Sequence, residues 1–318
     1  MGRRAAALVA LLLAVALVGC ASEQAPAAGP PTRDAQAVTS ALVGLDPCAP
    51  IRMQPLAAGE TVRQTGPNRC WLSTQGNGVS VQVVLGQWRH IESLGTETQL
   101  VIGGAKAYQA VSANRLSCRV SIPVSQQLAV AVQTSVDAPS ADDLCGRTLP
   151  IATSAVAVMN GDHAPPEPPV MMWNSCDLLG RAVGPAADGL PRRYDPANFG
   201  LDKCAAVREM PEGYQQVYGL SVTFKDPADL LGTQETLVAG LRAKQQDFGT
   251  DCNVEWNAGS SGVAEPDLAG AVLLLNAPSC AEAVRYADAA TAAFTTAPPP
   301  GVTPLRPLTY RPDERDTP

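Results

Sequence analysis

The apolar residues of this chain change their spacing several times, and each change predicts an element. An unbroken apolar run from Ala5 to Val18 comes first. Val79, Val81, Val83 and Leu85 then alternate with other residues, the period-2 signature of a half-buried strand. Residues 69–72, 100–102 and 108–111 read as further short strands, and 118–124 with 128–135 as a hairpin. Gly76-Asn77-Gly78 is a tight-turn signal ahead of the alternating strand. Residues 141–159 are helical in composition, with Pro150 expected to kink or break the helix. A short helix after Cys48 is kept brief by Pro50 and Pro55. The same order then returns. Residues 177–183 form a short helix, and 217–225 a strand with Tyr218, Leu220, Val222 and Phe224 on one face. Strands at 252–256 and 271–275 follow, then an Ala-rich helix over 279–294. Strands closed by a covering helix, twice over, predict an α+β fold with one face of each antiparallel sheet covered.

The cysteines give that recurrence a rhythm. Apart from Cys20, eight remain: Cys48, Cys70, Cys118, Cys145, Cys176, Cys204, Cys252 and Cys280. Their separations are 22, 48 and 27 in the first four and 28, 48 and 28 in the second four. This predicts two tandem copies of one small domain with two disulfides each. Four cysteines allow three pairings. First-with-second and third-with-fourth is favoured, because each such bridge closes a short loop. Flanking residues agree: Ser140 lies three before Asp143 and Ser279 three before Glu282, each a capping-box start for a closing helix. The long spacings and the lack of Cys-x-x-Cys pairs speak against a metal site.

The N-terminus carries an address. Arg3 and Arg4 precede the apolar run, and Leu17-Val18-Gly19-Cys20 resembles the lipobox of bacterial lipoproteins. That resemblance implies cleavage before Cys20 and diacylation of its thiol. The run is shorter than the roughly 20 residues needed to span a bilayer. The chain is accordingly divided into a signal peptide over 1–20, a flexible tether over 21–37 and a first α+β domain over 38–160. A Pro-rich linker over 161–171, a second α+β domain over 172–296 and a disordered tail over 297–318 complete it.

Composition narrows the chemistry. A formal net charge of -7 excludes a general nucleic-acid binder, which needs a basic face. Only His90 and His163 are available as imidazole bases, and neither sits in a nucleophile motif. There is no Gly-x-Ser-x-Gly elbow, phosphate loop, dinucleotide fingerprint or calcium loop, and an even count of paired cysteines leaves no thiolate. Asp142-Asp143 is explained by the helix dipole. No enzyme activity, metal or cofactor is therefore expected. Aromatics are only 4% of the chain, so its four tryptophans stand out. Trp71 and Trp256 are expected beside disulfides; Trp173 and Trp88 are the candidates for lining a groove between the domains.

Asp46-Pro47-Cys48, Cys70-Trp71, Gly103-Gly104-Ala105, Cys118-Arg-Val and Leu144-Cys145 occur in that order. On these motifs the first repeat, about 38–160, resembles the actinobacterial lipoproteins grouped as domain of unknown function 3558; the second, about 172–296, resembles them more weakly. The resemblance implies an envelope lipoprotein and carries no reaction. The expectation is thus an extracytoplasmic lipoprotein, held to the outer face of the cytoplasmic membrane by its acylated N-terminus. It would act as a binding module for an envelope component or partner protein. The alternatives are a carrier of a lipid or other apolar small molecule, or an extracellular sensor component.

Overall fold

The computed structural model describes residues 33–74, 78–88, 97–138, 143–161, 173–187, 189–195, 200–211, 215–294 and 307–314. Residues 1–20 with Cys20, most of 21–37 and nearly all of 161–171 lie outside them. Asp34 accepts a hydrogen bond from the Ala37 amide and caps helix α1, Ala35–Val43, so the tether ends a few residues earlier than expected. A single-turn helix α2, Ala49–Arg52, follows.

Seven strands then form one antiparallel sheet: β1 Glu60–Gly66, β2 Arg69–Thr74, β3 Val79–Trp88, β4 Thr98–Ile102, β5 Ala105–Val111, β6 Ser117–Pro123 and β7 Leu128–Val136. Helix α3, Leu144–Asn160, crosses β6 and β7. Its N-cap is Asp143, which accepts from the Cys145 amide, and the helix runs on through Pro150. Pro150 is the seventh residue of the helix, so the helix forgoes the amide bond that position would give to the Gly146 carbonyl without being broken there.

In the second half, α4, Ser175–Val183, precedes β8 Arg192–Asp195, β9 Gly200–Glu209, β10 Gln215–Lys225, β11 Gln234–Val238, β12 Leu241–Asp247, β13 Cys252–Ser260 and β14 Gly270–Ala277. Helix α5, Cys280–Phe294, closes it. Ser279 and Glu282 form the expected capping box. The sheet orders are β1-β2-β3-β7-β6-β5-β4 and, read from the other edge, β8-β9-β10-β14-β13-β12-β11. Each half therefore threads its strands in the same sequence. Disulfides join Cys48–Cys70, Cys118–Cys145, Cys176–Cys204 and Cys252–Cys280, all within a half and in the favoured pairing.

Tyr218, Leu220, Val222 and Phe224 share the buried face of β10, and Trp256 fills the second core. In β3, Val81, Val83 and Leu85 enter the first core as alternation predicts. Val84, on the opposite face, is buried as well, because the start of β9 packs on it.

That contact ties together the halves that the sequence divides into two domains. Residues 33–314 form one compact unit. Leu201 of β9 is fully buried in the first core. It enters where β3 bulges between Val84 and Gln87. Gly86 there has φ +71, and a Cβ on it would overlap Leu201; Gly200 has φ +52, and a Cβ on it would strike the Leu85 carbonyl. Only glycine combines that backbone with that closeness.

A correction concerns the tail. Residues 307–314 are not free but lie as a strap on the first half, with Leu308 1% exposed in the first core. Pairing of β5 with β6 begins only at Tyr108 and Ser121, which leaves the start of β5 open. The strap fills that gap: the Lys106 amide donates to the Tyr310 carbonyl at 2.9 Å. Arg33 donates to the carbonyls of Leu308, Thr309 and Val124 and lies 3.7 Å from the centre of the Tyr310 ring.

Candidate functional site

The expected groove residues fall elsewhere. Trp173 is 2% exposed, packed into the second core beneath the Arg181 guanidinium 4.9 Å from its ring. It lines no open groove, a correction that follows from its position directly before α4, where the largest apolar group is drawn inside. Trp88 ends β3 opposite Leu128, and its side chain lies outside the described residues. Trp256 is buried in the second core, which also holds Cys252, while Trp71 on β2 is only partly buried. His90, His163 and Asp142 also lie outside the described residues. Asp143 is committed to capping α3.

Two clefts and one buried polar cluster remain. The first cleft, about 340 Å³, lies in the first half between the 54–57 segment, β1, β2 and α3. Leu72, Pro55, Pro150 and Ile151 give it apolar walls. Leu56 lines it and is 47% exposed; Met53, which precedes the lining Gln54 in the chain, is 57% exposed. Its polar edge is an ion pair of Arg147 with Glu60, whose carboxylate is almost wholly buried and also accepts from the Ala57 amide at 2.8 Å. In the second half the equivalent stretch after α4 behaves differently. Ala186 and Leu190 pack onto the core, and Arg208 donates to the Ala186 carbonyl at 2.7 Å. There the segment covers its own core; in the first half it stands away.

The second cleft, about 420 Å³, lies between the halves. It is walled by the first turns of α1, the β6–β7 turn, and Asp177, Arg192 and Tyr194. The Tyr194 hydroxyl donates to Asn174 Oδ1 at 3.0 Å, and its ring touches both cores. Burial first, and Asp177 second, push its hydroxyl far above the ordinary tyrosine value.

The buried cluster locks the junction. Asp202, next to Leu201, is fully buried against the first half. Its Oδ1 accepts from the Asn68 amide at 2.9 Å and from Asn68 Nδ2 at 3.1 Å. Oδ2 faces Arg69, whose Nε is 3.8 Å away. Desolvation raises the carboxyl to about 7, against the lowering effects of Arg69 and Asn68. Sequence reading did not single out Asp202. Its only signal is a carboxylate two residues before a cysteine, with Leu201 on one side and Lys203 on the other.

Among the described residues no cluster of His, Cys, Asp or Glu is placed to hold a metal ion, and no helix is long and apolar enough to cross a membrane. Comparison with family models, with curated proteins and with solved structures finds no match.

Proposed function

We propose that the protein is a lipid-anchored, extracytoplasmic binding module that presents the apolar cleft of its first half to an envelope partner. The lipobox-like Leu17-Val18-Gly19-Cys20 supports the anchor, and the motif residues of the first half support kinship with envelope lipoproteins. The identical strand order and matching disulfides support an origin by duplication of one four-cysteine module. On that reading the two copies have diverged in use: the second fills its cleft with Ala186 and Leu190, and the first keeps its cleft open.

The observation that carries the proposal is the exposure of Leu56 in the lining of that cleft, with exposed Met53 next in the chain to the lining Gln54. Its volume falls within the roughly 300–1,000 Å³ of small-ligand sites. Apolar groups beside a concave apolar wall gain by docking an apolar side chain of a partner, and the Arg147 guanidinium offers donors at the edge.

A photo-crosslinking phenylalanine analogue at Met53 in intact cells tests this. The expected result is a discrete protein adduct that Leu56→Asp removes, with none from the same analogue at exposed Val111. Equal labelling from both positions, or an adduct indifferent to Leu56→Asp, overturns it. A lipid adduct in place of a protein transfers the cleft to the carrier reading.

A further inference from the structure

The cleft between the halves carries unpaired groups of both signs. Gln36, Gln127 and Arg192 have no side-chain hydrogen bond or ion pair to another described residue, and Asp177 spends only Oδ2, on Asn174 Nδ2 at 2.7 Å. Tyr194 stands with them, its hydroxyl fixed by Asn174.

Arg192 is also provided for by the backbone beneath it. Gly180 lies inside α4, where glycine is the poorest ordinary helix former. A Cβ at Gly180 would fall on the Arg192 guanidinium, overlapping Nη1, Cζ and Nη2 together. The helix thus leaves out a side chain where the guanidinium lies flat against it. Arg192 remains exposed to solvent while its guanidinium rests against the helix.

We propose that this cleft binds a neutral, hydroxyl-rich saccharide. A guanidinium and a carboxylate in one small cleft balance each other, so a net-charged ligand meets one favourable and one unfavourable charge. Vicinal hydroxyls both donate and accept. They satisfy Arg192, which only donates, Asp177, which only accepts, and the two glutamine amides, which do both. The half-buried Tyr194 ring supplies an apolar surface for the C–H face of a sugar. This site is independent of the apolar cleft and stands whether or not that cleft takes a partner.

The test is amide and guanidinium NMR of the oxidised protein titrated with N-acetylglucosamine disaccharide and tetrasaccharide. Acetate and inorganic phosphate serve as anion controls, and co-sedimentation with delipidated cell-wall glycan separates polymer binding from capture of free sugar. Saturable shifts at Gln36, Gln127 and Arg192 with a saccharide are expected, weakened at least tenfold by Arg192→Ala. Gly180→Ala is the sharper variant: it favours the helix, so the fold is retained or gains stability, yet it displaces the guanidinium and weakens binding by a similar factor. Absence of shifts at about 10 mM saccharide overturns the proposal, since affinity beyond the millimolar range is no specific site. So does tighter binding of phosphate or acetate, or full binding by both variants.

Discussion

At the scale of single residues, Asp202 has the most to reveal. Burial holds its folded carboxyl near 7, whereas an unfolded aspartate titrates near 3.8. Between those values the folded protein keeps a proton that the unfolded chain has lost. Stability therefore falls as pH rises from about 4 to about 7 and is flat on either side with respect to this group. Asp202→Asn keeps the acceptor for Asn68 and removes the titration. Urea unfolding at pH 4.5 and pH 7.5 should show wild type losing a few kcal/mol more than the variant over that interval. Equal losses in the two proteins would show that the carboxyl titrates normally. Single residues were also the least legible level of the sequence. Cysteine pairing followed from loop length, and the Ser279 cap followed from its spacing to Glu282. Nothing in the composition marked Asp202, Arg192 or Gly180, because their roles come from residues more than one hundred positions away or from backbone contact. Trp173 was misread for a related reason: a large side chain near a domain boundary can face inward or outward with the same sequence.

At the scale of elements, alternating strands were visible and polar ones were not. β3 and β10 announce themselves by period-2 valines, leucines and aromatics. β1, reading Glu-Thr-Val-Arg-Gln-Thr-Gly, and β11 and β12 carry too little apolar contrast to signal a face. They form because neighbouring strands present open hydrogen-bonding edges, which is a tertiary cause. The strap is a further case. Its sequence, rich in proline and charge, resembles a disordered tail, yet Leu308 and Tyr310 are buried. Arg33 is the clamp. Its three carbonyl contacts and the Tyr310 ring compensate the guanidinium for partial burial, which lowers its own proton affinity. Arg33→Ala should release the strap and speed amide exchange at Lys106 by at least tenfold, with exchange in β10 unchanged. Protection at Lys106 that survives the substitution would mean that Leu308 alone holds the strap.

At the scale of the whole molecule, cysteine rhythm predicted two similar halves but not their interlock. Leu201 belongs by sequence to the second half and by packing to the first. Leu201→Ala should cost about 2–5 kcal/mol, the range for a fully buried leucine. Because that side chain pins β9 of the second half into the first core, the variant should also split one unfolding transition into two, seen by calorimetry and by tryptophan fluorescence. A uniform loss with a single transition would place the coupling in Asp202 and its partners instead.

The location of Leu308 has a consequence for the order of events during biogenesis. Ribosomes deliver N-terminal portions first, and successive folding units ordinarily mature one after another as they emerge. Here the interior of the first half awaits a leucine synthesised after the whole of the second half. Its four thiols can pair before then, but closure is deferred until the second half has been made. A premature stop codon shortly before position 308 would thus injure the beginning of the protein more than its end.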